Sequence, residues 1–138
     1  MKILVVDGQG GNIGRQLVKM INERFPDAEL IAVGTNSIAT SNMMKGGAKN
    51  AATGENAVIT CSRKADIIVG PVGIVVADSL LGEITPKMAV AIGQSDARKV
   101  MIPLNRCDTL IAGVADASTA YLLEDAVKKI EAVLKNPV

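Results

Sequence analysis

Residues 7–14 read Asp-Gly-Gln-Gly-Gly-Asn-Ile-Gly and lie between stretches of different periodicity. Before them, Ile3 to Val6 is a continuous apolar run without alternation, the pattern of a strand covered on both faces. After them, Ile13, Leu17, Met20 and Ile21 recur at helical spacing. This strand, glycine turn and helix constrain the fold most, because parallel strands need a crossover connection and a helix is its usual form. The same junction points backbone N–H groups and the positive end of a helix dipole past the carboxyl edge of the sheet, where an anion such as phosphate is stabilised. Asp7, Gly8, Gln9, Gly10, Gly11, Asn12 and Gly14 are therefore candidate ligand contacts. The alternative, glycines that serve only a tight turn and close packing, stays open, since a lone glycine-rich loop is a weak signal.

The spacing departs from the dinucleotide fingerprint. A G-x-G-x-x-G frame starting at Gly8 needs its third glycine where Ile13 stands, and Gly14 comes one residue late. Dinucleotide-binding folds also hold a ribose hydroxyl with an acid at the end of the second strand. Here that place reads Val33-Gly34-Thr35-Asn36, and Lys45 is the first cation after it. A nucleotide or dinucleotide is the expected class of ligand, with NAD disfavoured.

Glu29 to Val33 is expected as a second buried strand, its turn supplying Thr35, Asn36 and Ser37 either as ligand contacts or only as helix caps. The following helix stops at Gly46-Gly47, and Gly47 to Thr53 has the composition of a short edge strand. Glu55 to Lys64 is expected to be helical with Cys61 on its apolar face, a small core side chain rather than a nucleophile. Asp66 to Val69 reads as a third buried strand closed by Gly70-Pro71-Val72-Gly73. If strand order reverses between the first and third of these strands, Gly70 and Gly73 face Gly8 across a topological switch point, where open α/β sheets bind ligands. Ile74 to Leu81 is apolar enough to predict a helix on the core or against another subunit, and we expect a homo-oligomer. Thr85-Pro86 starts a helix running to about Ser95. Lys99 to Leu104 and Thr109 to Val114, joined by a short turn, predict an antiparallel hairpin, and a long amphipathic helix follows Ser118. The expectation is a single three-layer Rossmann-like α/β domain over residues 1–138, with a mostly parallel sheet of about five strands, a C-terminal β-hairpin edge and helices on both faces.

The stretches DGQGGNIG (7–14), GTNSIAT (34–40), ATGENA (52–57), GPVGIVVADS (70–79) and LGEITP (81–86) resemble those of a small bacterial family of Rossmann-like proteins catalogued as a domain of unknown function. The resemblance spans most of the chain and implies the same fold, without an activity to carry over.

Composition narrows the function. The chain is 49% hydrophobic with one Phe, one Tyr and no Trp, so its core must be aliphatic. A net charge of +1 and the lack of aromatic stacking platforms argue against nucleic acid as a partner. No apolar run is long enough to span a bilayer or serve as a signal peptide, and two cysteines build no disulfide framework, so a cytoplasmic protein is expected. With no histidine there is no Cys/His spacing for a metal and no ready general base. Tyr121 has Asp125 where a Tyr-x-x-x-Lys dyad needs lysine. An enzyme would have to use Asp7, Asp78 or Glu83, with Cys107 as a further candidate near the crevice. The preferred reading is a module that binds or senses a phosphate-bearing small molecule. The alternatives are such an enzyme, or an interaction oligomer whose pocket is empty.

Overall fold

The computed structural model describes residues 1–104, 109–114 and 116–136. Along the chain run β1 (Lys2–Asp7), α1 (Asn12–Arg24), β2 (Glu29–Gly34), α2 (Ser37–Lys45), β3 (Asn50–Thr53), α3 (Glu55–Lys64) and β4 (Ile67–Pro71). A 3-10 turn (Val72–Val75), α4 (Pro86–Gln94), β5 (Arg98–Ile102) and α5 (Thr119–Lys135) complete it. The five strands form one sheet in the order β3-β2-β1-β4-β5, and every pairing is parallel. The chain works outward from β1 to β3, then returns to pair β4 with the other side of β1, with Ile3 opposite Ile67 and Val5 opposite Val69. Strand order therefore reverses between β1 and β4, at the centre of the sheet.

Both faces are covered, which explains the unbroken apolar runs of β1 and β4. One face packs Ile3, Val5, Ala32, Ile67 and Val69 against Leu17, Val18 and Ile21 of α1, Met43 of α2 and Leu123, Ala126 and Ile130 of α5. The opposite face packs Leu4, Val6, Val33 and Ile68 against Val58 of α3, Met88 and Ile92 of α4, and Ile74, Leu80 and Ile84. No aromatic side chain is among the fully buried ones, so the core is aliphatic throughout. Each such Val, Leu or Ile contributes roughly 1.5–3 kcal/mol by burial, enough for many of them to sustain the domain without large rings.

Helix starts follow their sequence signals. Asn36 Oδ1 accepts from the Ala39 N–H at 2.8 Å, Thr85 Oγ1 from the Met88 N–H at 3.2 Å and Ser118 Oγ from the Tyr121 N–H at 3.1 Å. On α5 the Asp125–Lys129 pair forms, whereas Glu124 bonds Arg24 of α1 at 2.8 Å. Among the described residues no helix is long and apolar enough to cross a membrane.

Two expectations differ from the structure. Among the described residues the sheet is wholly parallel: residues 109–114 carry a turn and no strand, so they do not form the expected hairpin edge. Leu110 in that segment is 93% exposed, and a short apolar run without a burying partner does not make a strand. The helix expected over 74–81 is replaced by the 3-10 turn and a run of turns through residue 83. There Asp78, Leu80 and Leu81 take left-handed backbone angles (φ 65, 56 and 57), incompatible with an α-helix. Ile74 and Leu80 are buried inside the chain, as is Ile84 just beyond the run, each at most 1% exposed, whereas Leu81 is 96% exposed. Leu80→Ala should therefore cost about 2–5 kcal/mol, as for an inner core leucine. Urea unfolding monitored by circular dichroism would show it, and a loss below about 0.5 kcal/mol, typical of a surface position, would mean that this loop is not part of the core.

Candidate functional site

β1 ends on Asp7, whose side chain is 1% exposed. Its Oδ1 accepts from the Gly8 N–H at 2.8 Å and its Oδ2 from the Gly14 N–H at 2.7 Å. Gly14 is the third residue of α1, and the helix has no side-chain cap at its own cap residue, Gly11. The carboxylate of the strand thus caps the helix across the loop and meets the positive end of its dipole. Burial pushes the Asp7 carboxyl up, the two N–H bonds pull it down, and burial wins.

The loop between is held from several sides. The Gly11 N–H donates to the Gly8 carbonyl at 3.0 Å. Asn42 Nδ2 of α2 donates to the Gly10 carbonyl at 2.5 Å and Asn36 Nδ2 to the Gln9 carbonyl at 3.0 Å. The Gln9 N–H donates to Glu83 Oε1 at 2.8 Å. Gly11 has φ 74, and a Cβ there would lie 2.6 Å from the Ala39 Cα, so both backbone and neighbour require glycine. Gly10 is different: its φ is not left-handed, and a Cβ would meet nothing nearer than Asn12 Nδ2 at 3.8 Å. Among the described residues the N–H groups of Gly10, Asn12 and Ile13 have no acceptor. They border a crevice of about 220 Å³ lined by residues 7–13. Larger depressions lie elsewhere, one of about 520 Å³ between α3 and α4, but it sits away from the strand ends and lacks this convergence of backbone donors.

At the end of β2, Thr35 and Asn36 meet a side chain from far along the chain. Glu83 Oε1 accepts from Thr35 Oγ1 at 2.5 Å and Asn36 Nδ2 at 2.9 Å, in addition to the Gln9 N–H. Partial burial pushes the Glu83 carboxyl up, but these donors, Thr35 foremost, bond its charged form and bring it below the usual range. From the sequence, Glu83 is a candidate catalytic carboxylate or a solvated or capping group. A carboxylate 48 positions after Thr35 therefore stands at the end of β2, where residues 33–36 themselves carry none. Asn42 was missed altogether; nothing in its sequence neighbourhood marks it.

Asp7, Gly8, Gln9, Gly10, Gly11 and Asn12 line the crevice, with Thr35 and Asn36 bonded around it. Gly8 and Gly14 are explained by packing: a Cβ would meet Thr35 Oγ1 and the Met43 sulfur respectively, each at 2.6 Å. Gly70 lies inside β4 with the Val6 carbonyl against it, and Gly73 is buried in the 3-10 turn, its carbonyl accepting from Ser79 Oγ. Ser37 is exposed at the start of α2 and makes no bond to the loop. Asp78 is exposed on the left-handed turn, and Cys107 lies outside the described residues. Among the described residues no group of three or more acidic or cysteine side chains is arranged to hold a metal.

A family model described as a domain of unknown function, DUF3842, matches residues 2–135. The chain belongs to this family. No curated protein matches the DUF3842 chain. Among solved structures it is similar to a dodecameric FMN-dependent UbiX-like decarboxylase from Escherichia coli O157:H7, at 13% identity and a TM-score of 0.49, with 95% of this chain and 94% of that chain covered.

The Glu83 contacts carry a pH signature. Since its carboxyl titrates below the usual value, its stabilisation is present above the unfolded value, near 4.5, and is lost as pH falls through the lower folded value. Asp7, shifted the other way, favours the folded state toward acid; burial is the main cause and the charge of Glu83 the smallest, so most of this contribution is common to wild type and variant. Glu83→Ala should be less stable than wild type by on the order of 1–3 kcal/mol at neutral pH, and the gap should narrow as pH falls below 4.5 through the lowered folded value. Urea unfolding across that range measures it; a gap that does not change with pH would show that the charge of Glu83 holds nothing.

Proposed function

We propose that this DUF3842 protein binds a phosphate-bearing, nucleotide-like small molecule in the crevice at the carboxyl ends of β1 and β2, as a binding or sensing module. One observation carries the reading. Of the loop glycines, Gly8 and Gly11 are required by contacts within the chain and Gly10 is not, yet Gly10 stands beside the N–H groups at positions 10, 12 and 13, which have no acceptor among the described residues. Glycine there leaves room for a ligand group to approach the backbone, and N–H groups at a helix N-terminus suit phosphate oxygens. The position, outside the strand ends where sheet order reverses, is where open α/β sheets bind ligands.

Charge refines the class of ligand. Among the described residues lining the crevice none is Lys or Arg, while Asp7 lies beneath the loop and Glu83 beside it. Unit charges about 4 Å apart repel by roughly 4 kcal/mol at an effective dielectric near 20, so a dianionic phosphate monoester meets about twice the repulsion that a singly charged phosphate does. Phosphate in a diester or pyrophosphate linkage fits these surroundings better than a terminal monoester.

A thermal-shift screen of nucleoside diphosphates, dinucleotides, acyl-CoAs, sugar phosphates and inorganic phosphate tests the proposal. A ligand at about 100 times its Kd should stabilise the fold by roughly 2.7 kcal/mol. Gly10→Val should abolish that shift while lowering stability by less than about 1 kcal/mol, because its Cβ position is open and its φ is ordinary. If Gly10→Val keeps the ligand response of wild type, the crevice is not the binding site.

A further inference from the structure

We infer that Glu83 accepts hydrogen bonds from the hydroxyls of the ligand's sugar, so that the crevice selects phosphates carrying a vicinal diol. This inference rests on the binding site proposed above and names what lies beside its phosphate.

Thr35 directly follows Gly34, the last residue of β2, and its hydroxyl bonds Glu83 Oε1 at 2.5 Å. Glu83 therefore stands at the carboxyl end of the strand beside β1, where a dinucleotide-binding fold places its ribose acid. Asn36 Nδ2 and the Gln9 N–H bond the same oxygen, at 2.9 and 2.8 Å. With all of these donors on Oε1, the carboxylate is fixed in place while Oε2 receives no bond from a described residue. A carboxylate oxygen can accept more than one bond, and two adjacent hydroxyls are a matching pair of donors.

The arrangement does not suit a carboxylate that occupies the phosphate's own place. Such a mimic would take the N–H groups of Gly10, Asn12 and Ile13, and Glu83 takes none of them, bonding only the Gln9 N–H at the rim. It borders the anion site rather than filling it. The segment that carries Glu83 is anchored for this, with Leu80 and Ile84 buried on either side of it and the Asp78 N–H bonded to the Ile84 carbonyl at 2.7 Å.

Calorimetry with adenosine 5′-diphosphate and its 2′,3′-dideoxy analogue tests the inference on wild type and Glu83→Gln. Wild type should prefer the ribonucleotide by about tenfold, and Glu83→Gln should bring the ratio near one. The ratio cancels any general gain in phosphate affinity from removing a nearby charge. Equal binding of the two compounds by wild type would overturn the role of Glu83 and leave the phosphate site standing. A preference that survives in Glu83→Gln would assign the hydroxyls to another residue. Binding of neither compound by wild type would overturn the inference, while the thermal-shift screen and Gly10→Val decide separately whether the phosphate site stands.

Discussion

A buried carboxylate at the end of the central strand ties the glycine loop at the sheet's carboxyl edge to the helix that follows it. Asp7 bonds the N–H groups of Gly8 and Gly14, the first residue of the loop and the third of α1. Burying a carboxylate is unfavourable by several kcal/mol unless its oxygens find donors. Charge-assisted bonds of about 1.5–3 kcal/mol each, together with the helix dipole, offset that here. In return α1 receives the cap that Gly11 cannot give, and the chain between residues 8 and 11 is left with little choice of path. Asp7 thus satisfies the amides at positions 8 and 14, whereas those at 10, 12 and 13 have no acceptor among the described residues.

The second constraint comes from residues 76–84, which cross the same edge. Three non-glycine residues in the left-handed region cost roughly 1–2 kcal/mol each. Burial of Ile74, Leu80 and Ile84 returns about 1.5–3 kcal/mol each, so the core on the α3/α4 face can hold the strained path. Strain kept in this way is often found beside functional sites, and here its product is the placement of Glu83 against Thr35, Asn36 and Gln9.

Much of the architecture was legible before the structure. Ile3 to Val6 announced a strand buried on both faces, the helical spacing of Ile13, Leu17 and Ile21 announced α1, and the polar caps at Asn36, Thr85 and Ser118 marked helix starts that the structure contains. These signals are local: a cap bonds an amide a few residues away, and periodicity records which face is covered. The errors also have a common physical cause. The apolar residues of 74–81 and 109–114 were given to a helix and a strand because hydrophobicity states that a residue prefers burial without stating the backbone path by which it is buried. One run buried Ile74 and Leu80 through left-handed turns that leave Leu81 exposed, and the other kept Leu110 exposed.

At the site, the sequence by itself determined the glycine loop, the carboxylate that ends β1 and the helix that follows, since strand, turn and helix are contiguous and their bonds close within a few residues. The tertiary structure alone decided which glycines the fold requires and which it does not. Gly11 is pressed by Ala39 and Gly8 by Thr35, whereas a Cβ at Gly10 would meet only Asn12 Nδ2 at ordinary contact distance, and only the packing of α2 and the end of β2 against the loop makes that distinction. It alone also brought Asn42 to Gly10 and Glu83 to Gln9, across separations of 32 and 74 positions. A pairing of that kind leaves no periodic or spacing signal in one chain, because it depends on strand order and on the path of a distant loop.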